Sequence, residues 1–244
     1  MNVLAVIHGT NARGGVFEQH VRESGHVYEE WDPAWGRPLP RTLEEYDAVM
    51  VFGGTMHPDQ EKAHPWLVGE DAFIRDLIER GIPTLGICLG IQLIAKAEGC
   101  DVYPVPGGPE IGWVPVELTD AARRDPVFGA LPERFDALAV HVYTYDLPER
   151  AVSMIDGPRC NQAFRIGDRA WAMQFHPEAT LETVRGWLFD GRDVPGNRDE
   201  VWAETQGRIE EWNGLGRRLC GAFLAAASAC GAGKAPRELA DVRP

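Results

Sequence analysis

The segment Gly86-Ile87-Cys88-Leu89-Gly90 places a thiol where an apolar, strand-like run is followed by a helix-like one. Small residues two positions to either side permit a sharp turn that lifts the central side chain above a sheet. A cysteine at a helix N-terminus also gains from the positive end of the helix dipole, which favours the thiolate. The pattern therefore indicates a nucleophile elbow. The alternative is an ordinary buried cysteine between two turn glycines.

A base and an acid that would suit this thiol occur together at His176-Pro177-Glu178, after the alternating segment AWAMQF. Pro177 cannot extend a strand ladder, so we expect His176 at the strand end and Glu178 in the following loop. His176 would deprotonate Cys88 and later protonate the leaving amine, while Glu178 accepts the other ring N–H. A lone His-Pro-Glu would instead indicate a surface histidine beside a solvated glutamate. Together with the elbow, it predicts a catalytic triad of Cys88, His176 and Glu178.

Three motifs, GICLGIQLIA, QFHPE and the upstream FGG, resemble those of class I glutamine amidotransferases. The pattern of that family is G-x-C-x-G-x-Q, followed much later by H-P-E. The resemblance covers about residues 1–190. Within the family, GPEIGWVPVEL and NQAFRIGDRAWAMQFHPE are similar to segments of stand-alone proteins related to the amidotransferase domain of GMP synthase. The plant γ-glutamyl peptidases belong to the same group.

The resemblance implies roles for four further residues. The backbone N–H groups of Gly54 and Leu89 would bind the oxyanion, and preorganised donors of this kind are worth about 3 kcal/mol each. Gln92, one helical turn beyond Cys88, would hold the amino-acid end of the substrate. The alternative for Gln92 is a solvated helix residue. His141 would either contact the substrate or lie at the edge of the core.

The sequence departs from the family pattern at two places. The residue before Gln92 is Ile91, where many relatives have histidine. Relatives of the GMP synthase type often read W-H-G-D ahead of D-L-P, whereas this chain reads HVYTYDLP from His141, which keeps the histidine and loses Gly-Asp. In the family this segment usually lies near the bound substrate, so the sequence leaves open which acyl group is accepted.

The elements that must position these residues follow from hydrophobic patterning. Apolar runs at the N-terminus, at Ala48–Phe52 and at Thr84–Cys88 are typical of buried strands and alternate with helix-like segments such as Trp66–Arg80. This alternation predicts an α/β fold with a flavodoxin-like, mostly parallel sheet and flanking helices. Further β segments are expected at Gly112–Leu118, Ala139–Tyr145, Gln162–Ile166 and Ala170–Phe175, with a hairpin turn at Gly167-Asp168.

The sequence also suggests how the chain is divided. Residues 1–190 would form the amidotransferase-like domain. Residues 191–230 would form a C-terminal helical extension, with a polar linker at Gly191–Glu200 and a long helix from Val201 to about Ala229. Residues 231–244 would be a flexible tail.

Composition narrows the range of partners. With 24 Lys and Arg against 37 Asp and Glu, the net charge is −13, which disfavours nucleic acid and anionic membranes. No apolar run approaches the roughly 20 residues of a spanning helix, and the first residues lack the features of a signal peptide, so we expect a cytoplasmic protein. The five cysteines and seven histidines show no metal-ligand spacing, and no dinucleotide or ATP motif occurs, so no metal and no cofactor are predicted.

These observations predict hydrolysis of the γ-glutamyl amide of glutamine through a Cys88 thioester. The ammonia would be released freely or passed to a synthetase subunit. One alternative is a γ-glutamyl peptidase or transferase acting on a small γ-glutamyl compound, and another is a catalytically idle sensing or interaction protein on the same fold. In α/β-hydrolases the acid precedes the histidine along the chain, so the order found here argues against that class.

Overall fold

A nine-stranded sheet forms the centre of the computed structural model, which describes residues 1–190 and 196–231. Its strand order is β2-β1-β3-β4-β11-β10-β9-β6-β7, and β5 pairs with β8 in a small separate sheet. The elements are β1 (Asn2–His8), α1 (Gly15–Glu23), β2 (Val27–Trp31), β3 (Ala48–Gly54), α2 (Trp66–Glu79), β4 (Thr84–Ile87), α3 (Leu89–Ala97), β5 (Val102–Pro104), β6 (Glu110–Leu118), β7 (Arg134–His141), β8 (Tyr143–Tyr145), β9 (Ala151–Asp156), β10 (Asn161–Ile166), β11 (Ala170–Met173), α4 (Leu181–Phe189) and α5 (Arg198–Gly231).

The five strands β2, β1, β3, β4 and β11 are parallel. Four of them, β1, β3, β4 and β11, are buried along almost their whole length, as expected for strands that are covered by helices on both faces. Their carboxyl ends meet at one edge of the sheet, where α/β proteins commonly bind ligands. Strand β2, an edge strand with the mixed sequence VYEEW, has no apolar run by which it could have been predicted.

The remaining strands extend the sheet in antiparallel fashion. The predicted hairpin between β10 and β11 is confirmed, with Gly167 at a φ of +54°. The prediction of one strand over Ala139–Tyr145 is wrong, because β7 begins at Arg134 and ends at His141. At that point the ring of His141 hydrogen-bonds to the carbonyl of Tyr143, the chain turns at Val142, and β8 leaves the main sheet to pair with β5.

Helices cover both faces of the sheet. Phe17 of α1, Leu188 of α4 and Phe223 of α5 belong to one buried cluster, and Leu77 of α2 and Leu93 of α3 belong to another. The chain therefore has three layers, with helices on both sides of a sheet whose central strands are parallel. This confirms the predicted flavodoxin-like α/β fold with an added C-terminal helix.

Helix α5 includes the predicted segment Val201–Ala229 and begins three residues earlier, at Arg198. Trp212 is 2% exposed and lies in the same core as α1 and α4. Its indole N–H donates to the carbonyl of His176 at 2.8 Å. The expected linker falls partly on residues 191–195, and the expected tail, beyond Gly231, on residues 232–244. Both stretches lie outside the described residues, and the division of the chain at residue 190 stays a prediction.

Among residues 1–190 and 196–231, no helix combines the length and the apolar character that are needed to cross a lipid bilayer.

The contact between α5 and the His-Pro-Glu turn generates a stability prediction. A Cβ on Gly216 would lie 2.1 Å from the carbonyl oxygen of Pro177, so Gly216→Ala forces the helix and the turn apart. We expect the free energy of unfolding to fall by about 1–3 kcal/mol, as for overpacked cores. Urea denaturation measures it.

Gly214→Ala is the matched control on the same helix. Gly214 is exposed, and a Cβ there would meet nothing within 4 Å. Because alanine has a higher helix propensity than glycine, this variant should be more stable than the original protein by up to about 1 kcal/mol. Equal stabilities of the two variants would contradict the proposed close contact.

Candidate active site

Cys88 occupies the turn between β4 and α3 with φ +54° and ψ −104°, the one positive φ at a non-glycine position in the described part of the chain. The two flanking glycines are required by packing. A Cβ on Gly90 would lie 2.2 Å from the carbonyl oxygen of Val51, and one on Gly86 would lie 2.6 Å from Ile94 Cδ1. The thiol lies at the N-terminus of α3, as the sequence predicted for a nucleophile elbow.

His176 and Glu178 follow β11 and are hydrogen-bonded to each other, with 2.7 Å between His176 Nδ1 and Glu178 Oε1. They are only 3% and 2% exposed. The backbone of Glu178 is fixed by the first turn of α1, since Val16 N–H donates to its carbonyl at 2.9 Å. The ring of Trp187 packs on the imidazole at a centroid distance of 4.5 Å. The carboxylate therefore fixes the orientation of the histidine ring, and surrounding elements hold both in place.

The charge on the imidazole is set by its two neighbours. Burial lowers the pKa of His176, but electrostatic interactions and hydrogen bonds with Glu178 and Cys88 outweigh it and raise the pKa from 6.5 to about 10. At neutral pH the ring is therefore protonated and its proton is available to a leaving group. Such a perturbed group in a cleft is typical of a functional site.

The cleft beside the thiol is built from loops at the carboxyl ends of the parallel strands. Cys88, His176 and Glu178 line it together, and Gly54, the last residue of β3, also lines it. Sequence reasoning missed Asn11, Trp187 and Asp190 because they lie in a loop, a helix and a helix end without a motif. The full lining is Asn11, Ala12, Gly53, Gly54, Thr55, Cys88, Val140, His176, Glu178, Gly186, Trp187 and Asp190.

A buried histidine supports the glycine pair at the end of β3. Nδ1 of His8 lies 3.1 Å from the carbonyl of Phe52 and 3.0 Å from that of Gly53, and Nε2 lies 2.8 Å from the carboxylate of Glu70. Burial lowers the pKa of His8, but Glu70 outweighs it and the net shift is upward. Because a protonated ring donates through both nitrogens, His8 holds the strand end next to Gly54. Its signal in the sequence was its position at the carboxyl end of a parallel strand.

Three predicted site residues are not among the described residues that line the cleft. Leu89 directly follows Cys88, and its side chain is buried in the core. Gln92 is also buried, and its amide donates to the carbonyl of Tyr143 at 2.9 Å and to Gln174 at 3.1 Å. The ring of His141 lies 3.0 Å from that same carbonyl. Gln92 and His141 thus hold the start of β8, and their contact with a substrate stays a prediction, as does the role of the Leu89 N–H.

Comparisons with known proteins identify the family of the chain. The family described as "Glutamine amidotransferase class-I" matches residues 23–192. The chain is 28% identical to the glutamine amidotransferase-like protein YfeJ of Salmonella typhimurium, over 87% of this chain and 91% of that one. It is 27% identical to γ-glutamyl peptidase 4 of Arabidopsis thaliana, over 86% and 88%.

Among solved structures, the crystal structure of a glutamine amidotransferase from Thermotoga maritima superposes with a TM-score of 0.84. The two chains are 31% identical, and the match covers 92% of this chain and 98% of that one. Because the family match spans more than half of the sequence, the chain belongs to the class I glutamine amidotransferase family.

Proposed function

We propose that this protein hydrolyses the γ-glutamyl amide of glutamine through a covalent thioester on Cys88. The observation that carries the proposal is the thiol on a left-handed turn at a helix N-terminus, in one cleft with a buried His176–Glu178 pair. These are the parts that nucleophilic catalysis at a carbonyl requires. We assign Cys88 as nucleophile, His176 as general acid and base, and Glu178 as the group that fixes the imidazole tautomer.

The reaction divides into two balanced halves. In the first, the Cys88 thiolate attacks the amide carbon, the tetrahedral intermediate collapses, and the C–N bond breaks as His176 protonates the departing ammonia. In the second, His176 removes a proton from water, the hydroxide attacks the thioester, and glutamate leaves as Cys88 is regenerated. We assign the N–H groups of Gly54 and Leu89 to the oxyanion, where each is worth about 3 kcal/mol.

The lining of the cleft suits an amino-acid head group. Asp190 places a carboxylate at its solvent side, and we assign it to the α-ammonium of the substrate. The ring of Trp187 covers the imidazole and is itself fixed by donating to the carbonyl of Asn11 at 2.8 Å. Gln92 and His141 are candidate substrate-binding residues, and both side chains hydrogen-bond to the carbonyl of Tyr143.

The fate of the ammonia and the cellular setting are also part of the proposal. Two relatives are named as a subunit of imidazole glycerol phosphate synthase and as the small chain of carbamoyl phosphate synthase. By analogy, a synthetase subunit would accept ammonia from this chain. A cytoplasmic location is supported by the five cysteines, which are all free thiols, as is usual in a reducing compartment.

The second candidate is a γ-glutamyl peptidase acting on a small γ-glutamyl compound. It is supported by the Arabidopsis peptidase, which matches 86% of this chain, whereas a synthase subunit from Symbiobacterium thermophilum matches 49% of it. It is also favoured by the altered segment from His141 to Tyr145, since a different segment there would suit a different substrate. Within it, the rings of Tyr143 and His57 are stacked with their centroids 4.1 Å apart. The third candidate is an idle sensing protein.

Substrate turnover separates these candidates. The protein is incubated with glutamine and with a panel of γ-glutamyl amides and peptides, and release of ammonia or amine is measured. We expect turnover of at least one compound and a loss of at least about 10³-fold in Cys88→Ala, because the thioester cannot form. Cys100→Ala is the control, since Cys100 is a free thiol away from the cleft.

Each outcome of that assay favours one of the three candidate functions. Glutamine as the best substrate supports the amidotransferase, and preference for a γ-glutamyl peptide supports the peptidase. If a glutamine-like electrophile labels Cys88 without turnover, the missing component is a synthetase. An absence of both turnover and labelling would leave only the idle protein.

The pH profile tests the role of Glu178. In Glu178→Gln the carboxylate that raises the pKa of His176 is gone, so the alkaline limb of kcat/KM should move from about pH 10 toward neutral. The rate should fall by about 10²–10⁴-fold. The folded-state pKa lies above 6.5, so this pair stabilises the fold fully below that pH and the contribution is lost as pH rises through about 10.

Glu182→Gln, at an exposed site in the first turn of α4, serves as the control and should leave the profile unchanged. An alkaline limb that stays in place in Glu178→Gln would show that this carboxylate does not act on His176.

A further inference from the structure

Three side chains outside the catalytic cleft gather metal-ligating atoms at one point. Glu110 is the first residue of β6, His141 is the last residue of β7, and Cys160 directly precedes β10. One atom from each, a carboxylate oxygen, the imidazole Nε2 and the thiol sulfur, lie within 4.8 Å of one another. Register pairing explains part of this, since Glu110 and His141 are opposite each other in the antiparallel β6–β7 ladder. Because the three residues come from separate segments of the chain, linear spacing in the sequence could not reveal them.

Two of the three separations are close to those around a tetrahedral zinc ion. Glu110 Oε2 lies 3.0 Å from His141 Nε2 and 3.4 Å from Cys160 Sγ. Zinc–ligand bonds of about 2.0 Å to nitrogen or oxygen and 2.3 Å to sulfur place neighbouring ligands about 3.3–3.7 Å apart. An ion would therefore need only small movements of three side chains whose backbones are fixed by the sheet.

The cluster contains more polar atoms than its own contacts satisfy. Among the described residues, Glu110 Oε1, Thr144 Oγ1 and Gln162 Oε1 have no hydrogen-bond partner of adequate geometry, although each is inaccessible to solvent. Glu110, His141, Thr144 and Gln162 are at most 4% exposed. Unpaired buried polar atoms are costly, and a cation bound in this cluster would give some of them a partner.

A fourth ligand is available from Gln162. Its amide nitrogen lies 2.7 Å from Glu110 Oε2 and 3.4 Å from Cys160 Sγ. Turning the amide by 180° would place the oxygen there instead. In that orientation the amide oxygen would be repelled by the carboxylate and the sulfur. A cation bound between these atoms would make the same orientation favourable.

We propose that Glu110, His141 and Cys160 form a binding site for one zinc ion, with Gln162 or a water as the fourth ligand. The donor set of one sulfur, one imidazole and one carboxylate suits zinc, because it combines the ligand types that this borderline ion accepts. Cys160 is only partly buried, so an ion can enter past it.

Binding is coupled to proton release. A cysteine thiol loses its proton as the Zn–S bond forms, without any change in oxidation state.

The position of the site links it to the cleft. Val140, the residue before His141, lines the cleft, and its carbonyl lies 4.0 Å from Cys88 Sγ. A bound ion would join β6, β7 and the start of β10 immediately behind this wall. We infer that it stabilises the antiparallel half of the sheet and does not take part in the chemistry at Cys88.

Cobalt titration tests the site, because a Co²⁺–thiolate bond produces a charge-transfer absorption band. The full chain is used as Cys88→Ala, since the cleft thiol and His176 could themselves bind a metal. After chelator treatment, we expect a thiolate–cobalt band that saturates at one equivalent and disappears when zinc is added. Zinc should also raise the melting temperature of this protein by several degrees.

Matched variants localise the signal. Adding Cys160→Ser should abolish the band and the thermal shift, whereas adding Cys100→Ser should preserve both. Glu110→Gln and His141→Asn should each weaken binding at least tenfold. A band that survives Cys160→Ser, or no band at millimolar cobalt, would overturn the proposal. Should Cys160→Ser fail to fold, zinc X-ray absorption of the Cys88→Ala protein decides, since one sulfur ligand is expected and none would refute the site.

Discussion

The close approach of helix α3 to strand β3 is the constraint on which the candidate site depends. A Cβ on Gly90 would lie 2.2 Å from the carbonyl oxygen of Val51, so only glycine lets the helix begin where it does. With the helix in that place, the chain joins β4 to α3 through a residue of positive φ, and that residue is Cys88. Backbone strain of this kind costs about 1–3 kcal/mol and persists only where the surrounding packing fixes it.

Contacts on both faces of the sheet fix the backbone around the cleft. On one face, the buried His8–Glu70 pair holds the carbonyls at the end of β3, next to the cleft. On the other, Trp212 of α5 donates to the carbonyl of His176, and Gly216 lets the helix touch the next residue of the turn. The end of β3 and the His-Pro-Glu turn are therefore held from opposite faces of the sheet, and the shape of the cleft depends on the packing of all three layers.

Sequence patterning predicted the parts of the fold that arise from local rules. The parallel core strands were found because they are continuous apolar runs, and the elbow because Gly86 and Gly90 flank a cysteine. The edge strand β2 and the division between β7 and β8 were not found, since a half-exposed edge has no clear period and the break at Val142 depends on a ring-to-carbonyl bond. Asn11, Trp187 and Asp190 reach the cleft only through tertiary packing, which no spacing along the chain records.

The dependence of the His-Pro-Glu turn on α5 has a consequence for synthesis on the ribosome. Domains are made from the N-terminus at about 5–20 residues per second, and α5 follows every residue of the cleft in chain order. While Trp212 and Gly216 remain in the exit tunnel, the carbonyl of His176 has no donor and one side of the core is open to water. The nascent chain therefore contains Cys88 and His176 before the helix that supports the His-Pro-Glu turn has been made.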